Sequence, residues 1–456
     1  MFIGRKAELQ QLQQYIGGEP SVFLLYGKRR VGKTELIKEA LKGRPFIYFQ
    51  CYENTLSFNL QQFEMTLIRN GAIKERINAD SFSQIFYYLN LLDQKFVIVI
   101  DEYSYLSTYT DGRIIDSDFQ NICDNHLSNI HLILCGSQIN IMSSLLNKEN
   151  PLYGRIKNKL LLKELNYVEA SYFYPNKSIH DKIAFYAVFG GSPFVLKQLN
   201  PSLSLKDNIM NTFLSTDNDV FDYAYRVLFT GLSTSLNIKE LCSFIKNGKN
   251  TLSEIEDGLH VLKNGTMFKR LKTLVELQLI EKSNPINQLD NPKASTYELN
   301  DNAVRFFYTY VYPILSSLEI INKETLYENY IAKSLTTYIS YRFEEQARKY
   351  FSLLSILGLR KDILAIGRYH YNDRIRKRSG EFDVALKLVD GTYTMIEVKY
   401  FKEEHLLSKS MRMEEIRQVE EIREIDVQNV FFLCSSGYED QDDRCIDPNS
   451  LYDFQF

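Results

Sequence analysis

An α/β fold is predicted for this 456-residue chain: a phosphate-loop core with a parallel sheet and a helical lid, then a winged helix, then a second α/β domain. Three observations predict it. Residues 27–34 read Gly-Lys-Arg-Arg-Val-Gly-Lys-Thr, set between an apolar run and a helical stretch. Short apolar runs alternate with helical patterns through the first third of the chain. Near the other end, two strand-like segments rich in charge flank Val389-Asp390-Gly391.

The first observation fixes the start of the fold. Val22–Tyr26 reads as the incoming strand and Glu35–Leu41 as the outgoing helix. Strand, glycine loop and helix in that order are what a phosphate-binding loop needs. Its glycines let backbone N–H groups turn inward around an anion, and the helix start adds the positive end of its dipole. Gly27, Arg30, Gly32, Lys33, Thr34 and Glu35 form the candidate nucleotide-binding set. In this pattern the lysine reaches the β- and γ-phosphates and the threonine hydroxyl holds Mg²⁺, so ATP and Mg²⁺ are the expected ligands.

Val22–Tyr26, Phe46–Gln50, Phe96–Ile100, His131–Cys135 and Lys159–Leu165 are the candidate strands. Their nearly continuous hydrophobicity fits strands of a parallel sheet buried on both faces. The third run leads into Asp101-Glu102. An aspartate at that strand end can hold Mg²⁺, and the glutamate after it can orient or deprotonate the attacking water. The fourth run ends at Gly136-Ser137, where Ser137 either senses the γ-phosphate or caps a helix.

Bulk properties narrow the rest. The length calls for several domains. A net charge of −3 excludes a uniformly basic DNA-coating protein but leaves local basic patches. Six cysteines without a C-x-x-C pair read as reduced thiols of a cytoplasmic protein. No run is long and apolar enough for a membrane span, and Met1-Phe2-Ile3-Gly4-Arg5 does not open like a signal peptide, so no membrane partner is expected.

Phe2-Ile3-Gly4-Arg5-Lys6-x-Glu8-Leu9, the phosphate loop, Asp101-Glu102, Gly136-Ser137, Pro151-Leu152-Tyr153-Gly154-Arg155 and Gly190-Gly191-Ser192-Pro193 together resemble the archaeal-type P-loop ATPases of the AAA+/STAND division. The resemblance implies an ATPase core over 1–165 and a helical lid over 166–224. It implies that Gly4 and Arg5 lie by the adenine and that Gly191 and Pro193 close the nucleotide site from the lid. It also implies a phosphate-contacting role for Arg155, within the chain or across subunits; a structural salt bridge is the alternative.

Residues 225–312 read as a winged helix. Helices are expected over Tyr225–Leu232, Ile238–Asn247 and Thr266–Leu279, followed by two strands around the polar turn Ser283–Ser295. In the third helix Phe268, Leu271, Leu274 and Val275 are expected in the core. Lys269, Arg270 and Lys272 lie off that stripe and could meet DNA phosphates. An interdomain platform is the alternative role.

Residues 313–456 resemble the domain of unassigned function that often follows such ATPases. Asp383 on one strand and Glu397-Val398-Lys399 on the next look like the restriction-endonuclease-like superfamily, in which two carboxylates bind Mg²⁺ and a lysine assists. Glu344 or Glu345 matches its helix acid, and Gln418 a weaker helper position. Hairpin register tests the idea. A three-residue turn with Gly391 left-handed pairs Leu388 with Thr392, which sets Asp383 against Glu397 and Glu381 against Lys399. All four charges would then converge, and a metal or phosphate would answer them. The proline that often precedes the first acid is replaced by Phe382. The basic run Arg374–Arg378 could grip a phosphate backbone.

The sequence therefore points to an ATP-hydrolysing protein that acts on DNA. Lys33, Glu102 and Arg155 are its ATPase residues, and Asp383, Glu397 and Lys399 its second catalytic set, with metal ligands Thr34, Asp101, Asp383 and Glu397. The alternative is a nucleotide-gated switch that binds a protein partner or a second copy, with an inactive nuclease fold as scaffold; a transcription regulator using the winged helix is a third reading.

Overall fold

Alternation of apolar side chains across the strands sets the layers of the first unit. Its strands are β1 (Val22–Tyr26), β2 (Ile47–Gln50), β3 (Phe96–Asp101), β4 (Ile130–Gly136) and β5 (Asn158–Leu161), all parallel, in the order β2-β3-β4-β1-β5. Val22, Leu24, Ile98, Ile100, Leu132 and Leu134 face one way, onto Phe63, Phe82, Phe86 and Phe119. Phe23, Leu25, Val99, Ile133 and Cys135 face the other way, onto Leu12, Tyr15, Leu36 and Ile37. Helices thus cover both faces, and the strands' C-terminal ends open at one edge of the sheet, where α/β proteins bind ligands.

This computed structural model describes residues 2–92, 94–226, 238–245, 250–373, 378–403, 405–420 and 426–454. The chain divides into two units, Met1–Glu164 and Leu165–Gln455. Among the described residues no helix is long and apolar enough to cross a membrane. Most of the basic run, 374–377, lies outside them.

The second unit opens with short helices. Asn166 caps Tyr167–Ser171 in a capping box with Glu169. Ile179–Phe189 stops at Gly190, and Pro193 starts Pro193–Leu196. Leu205–Thr212 follows, and then Asp219–Arg226, which begins earlier than the expected Tyr225–Leu232, most of which lies outside the described residues.

A small sheet follows, with β6 (Asn250–Thr251), β7 (Ile280–Ser283) and β8 (Thr296–Leu299) in the antiparallel order β6-β8-β7. Helices Ile238–Ile245, Leu252–Gly258 and Thr266–Glu276 accompany it. The middle helix was not expected, although Thr251 and Glu254 form a capping box at its start. In Thr266–Glu276 the buried residues are Met267, Leu271 and Leu274. Phe268, expected in the core, is instead 46% exposed, because the buried stripe runs one residue earlier around the helix.

The C-terminal sheet is mixed. The long helix Ala332–Ile356 leads into β9 (Ile363–Asp373), β10 (Arg378–Leu388) and β11 (Tyr393–Lys399); the helix Lys409–Glu420 then leads to β12 (Val427–Cys434) and β13 (Cys445–Ile446). Strands β9, β10 and β11 are antiparallel, and β11, β12 and β13 run parallel.

The polar turn between β7 and β8 is docked on β9. Ile286 is buried with Tyr369, Phe382, Ala385 and Met395 of the larger sheet and Val419 of the helix Lys409–Glu420. Its N–H donates to the Arg368 carbonyl at 2.6 Å. The Asn287 amide donates to the His370 carbonyl at 2.7 Å and accepts the His370 N–H at 3.3 Å, as a strand backbone would. Gly367 leaves the necessary room, since a Cβ there would stand 3.3 Å from Ile286 Cβ. Ile286→Ala is expected to cost about 2–5 kcal/mol. Chemical denaturation with hydrogen exchange checks this, and unchanged protection of the β9 amides would show that the turn does not clamp the sheet.

Candidate functional site

The loop after β1 is shaped by a close approach. A Cβ on Gly27 would lie 2.2 Å from the Leu162 carbonyl oxygen, so only glycine fits. Gly32, with φ of 96°, begins the helix Lys33–Ala40 and leaves its first turn without a side-chain cap. Lys33 is buried, and its ammonium donates to the Gly27 and Lys28 carbonyls, each at 2.9 Å. Among the described residues no carboxylate lies within ion-pair distance of it. A buried cation caged by neutral carbonyls and a free helix N-terminus is a donor set that fits a phosphate.

Arg5 and Gly4 are both left-handed, with φ of 64° and 69°. The buried Arg5 guanidinium donates to the Val31 carbonyl at 3.1 Å and to the Lys163 carbonyl, and pairs with Glu8 at 3.2 Å. Its side chain therefore braces the loop from behind. Arg30 is exposed and left-handed in the loop, and Glu35 is exposed.

Asp101 ends β3 and is buried. One of its oxygens accepts the Glu102 N–H at 2.9 Å, and the other accepts the Tyr48 hydroxyl. Glu102 is left-handed, with φ of 52°, an uncommon backbone state that tends to mark functional sites. Its carboxylate accepts the Ser137 N–H at 3.1 Å and hydroxyl at 2.8 Å. Ser137 thus holds Glu102 and caps no helix, since the next helix begins after Gln138. Parallel pairing of β3 with β4 brings these strand ends together. Burial, followed by the nearby Asp101, holds the Cys51 and Cys135 thiols well above their ordinary range.

Arg155 forms a two-point pair with Asp124, at 2.7 and 2.8 Å, and donates to the Pro151 carbonyl at 3.0 Å. This is the salt bridge named above as the alternative. In the second unit a Cβ on Gly191 would meet the Leu165 carbonyl oxygen at 1.9 Å, and the Gly191 carbonyl accepts the Leu165 N–H at 2.9 Å. Pro193 follows as the first residue of its short helix.

The β10–β11 hairpin has the expected register. Gly391 is left-handed, with φ of 92°, and the Leu388 N–H donates to the Thr392 carbonyl at 2.9 Å. The ladder pairs Lys387 with Tyr393 and Val384 with Ile396, and one further step sets Asp383 against Glu397. Lys399 donates to Glu397 at 2.7 Å and to Glu415 at 2.8 Å. Burial pushes the Glu397 carboxyl up to about 7, with Lys399 pulling against it and Glu415 and Asp383 adding to it. Arg348 donates to the Asp383 carbonyl at 2.6 Å.

Two expectations change here. Glu381 hydrogen-bonds His370, its register partner on β9, so this acid is engaged by the outer strand. Glu345 belongs to a buried ion-pair cluster with Arg305 and Arg342, at 2.9 and 3.3 Å. Glu344, also buried, lies one helical turn before Arg348. Glu415, Tyr48 and the Ser137–Glu102 bond were missed; Glu415 lies one turn from Gln418 on the same helix, but nothing local marked it. Among the described residues no group of three or more His, Cys, Asp or Glu side chains is placed to hold a metal.

Residues 2–199 match the model of an ATPase domain predominantly from Archaea. Residues 307–417 match a domain described as archaeal and bacterial proteins of unknown function. An uncharacterized protein of Methanocaldococcus jannaschii, MJECL04, is 29% identical over 409 residues, covering 88% of each chain. An uncharacterized ATP-binding protein of the same organism, MJ0423, is 44% identical over 45 residues, which is 10% of this chain and 76% of that one. The Walker-type ATPase PABY2304 of Pyrococcus abyssi shares the fold with a TM-score of 0.50 and 20% identity, over 67% of this chain and 96% of that one. The protein therefore carries an ATPase domain of the predominantly archaeal kind over residues 2–199 and a domain of unknown function over residues 307–417.

Proposed function

We propose that the protein couples ATP hydrolysis to a metal-dependent action on DNA at the Asp383–Glu397–Lys399 site. In the ATPase half, Lys33 holds the β- and γ-phosphates, and Thr34 and Asp101 are the residues that would hold Mg²⁺. That ion, when bound, neutralises charge developing on the transferred phosphoryl group. Glu102 orients the attacking water and takes its proton, and Ser137 keeps the Glu102 carboxylate aimed.

The observation that carries the DNA half is the hairpin register, which sets Asp383 against Glu397 with Lys399 on the same face. The strand-and-helix order from Ala332 to Cys434 is that of a restriction-endonuclease-like fold, and Asp383 and Glu397 are oxygen donors suited to a hard divalent cation. The ion would supply Lewis-acid activation at the scissile phosphate. We read the helices and strands described between residues 238 and 299 as a winged helix, whose exposed Phe268, Lys269 and Lys272 offer a stacking ring beside two cations.

The capture of Lys399 between two carboxylates favours a second reading. There the site is a structural ion cluster, and the protein is a nucleotide-gated switch for a protein partner.

Lys33→Ala should abolish ATP binding in an equilibrium titration, and unchanged affinity refutes the phosphate-loop assignment. Glu102→Gln should keep ATP binding and lower kcat by about 10²–10⁴-fold. Ser137→Ala should lower kcat by roughly 10- to 100-fold at constant affinity; equal loss of binding would place the serine on the nucleotide instead. Asp383→Ala should remove Mg²⁺-dependent cleavage of single- or double-stranded DNA while sparing ATPase activity. Absence of cleavage by the wild type on either substrate, with or without ATP, selects the switch.

A further inference from the structure

Tyr48 lies on β2, beside the strand that ends in Asp101, where β2 pairs with β3 through Tyr48 and Val99 and through Gln50 and Asp101. Its ring packs against the core on one face of the sheet. The hydroxyl is therefore placed by the ring's packing and not by its polar neighbours. It donates to the one Asp101 oxygen that the Glu102 N–H leaves open. Among the described residues Thr34 is another of its polar neighbours. A single phenol thus stands between the two side chains proposed to share Mg²⁺. A carboxylate can turn about its last bond, and two donors on different oxygens stop that turn. Groups that orient a metal ligand in this way set the affinity of the site for its ion.

We infer that Tyr48 is a positioning residue for ATP hydrolysis, holding Asp101 in the orientation that lets it and Thr34 take Mg²⁺ together. The inference rests on the assignment of Thr34 and Asp101 as the Mg²⁺ ligands. Removing the hydroxyl leaves the ring packing in place and frees one carboxylate oxygen to rotate. Binding of the metal-free nucleotide relies on the Lys33 ammonium and the loop's backbone N–H groups, whereas Tyr48 meets the loop at the Thr34 side chain, so that affinity is spared.

The test uses the full chain and a fluorescent ATP analogue, titrated in EDTA and then across Mg²⁺ concentrations, for wild type, Tyr48→Phe, Tyr48→Leu and Thr34→Ala. In EDTA the Tyr48→Phe affinity should equal that of the wild type. The Mg²⁺ concentration that half-saturates the metal-dependent gain should rise about 10- to 100-fold. Tyr48→Leu should show the same metal defect and a lower Tm, which separates the hydroxyl from the ring. A Tyr48→Phe midpoint equal to wild type, alongside a shifted Thr34→Ala midpoint, overturns the role of Tyr48 alone. Unshifted midpoints in both overturn the metal-ligand assignment and this inference with it.

Discussion

The buried Glu298 carboxylate is the interaction on which the second unit is organised. It lies on β8 and faces Arg368 of β9 at 3.0 Å, Arg305 at 3.6 Å and Arg342 of the long helix at 3.8 Å. Glu345 completes the cluster through Arg305 and Arg342. Burial opposes charge on Glu345, yet the two guanidiniums hold its carboxyl well below the usual range. Burying several charges is costly, and losing one partner strands the others, so such a cluster specifies one arrangement more than it adds stability. Here it fixes the small sheet, the long helix and the larger sheet against one another. The Arg305 and Arg342 Nε atoms lack partners among the described residues, which fits a cluster retained for placement.

The two acidic sites are built on opposite electrostatic plans. In the ATPase half, Asp101 and Glu102 are held by neutral donors: a phenol, a hydroxyl and backbone N–H groups. Their charge is oriented without being cancelled, and so is that of Lys33, whose ammonium donates to two backbone carbonyls. At the second site the charges answer one another, Lys399 lying between Glu397 and Glu415. An incoming ion or phosphate meets ready charge at the first site and must displace an internal pair at the second. The first arrangement is pre-organised for electrostatic stabilisation.

Legibility in the sequence followed the range of the interactions. The phosphate loop, the strands of the first sheet and the β10–β11 register are set by neighbours in sequence, and Gly391 alone decided that register. One core position in Thr266–Glu276 was misread because either Met267 or Phe268 makes an acceptable helical stripe with Leu271 and Leu274. Tyr48 gave no local signal, and Ser137 was marked by its strand end but not its bond to Glu102, since their partners come from other strands. Ile286 is one of two large apolar residues in a polar turn, the other being the exposed Leu289, and only the sheet some 80 residues later explains its burial. The Leu252–Gly258 helix was legible in the Thr251–Glu254 capping box but is too short for periodicity to reveal.

The docked β7–β8 turn also bears on how the chain can be divided. The matched C-terminal domain begins at residue 307, after the turn has passed. A fragment begun there would lack Ile286 and Asn287, leaving Tyr369, Phe382 and Met395 with a gap in their shared core and β9 with an open edge. An apolar gap beside unpaired strand backbone invites association with other chains. The inherited module and the folding unit therefore have different boundaries, and the smallest autonomous piece includes the strands before it.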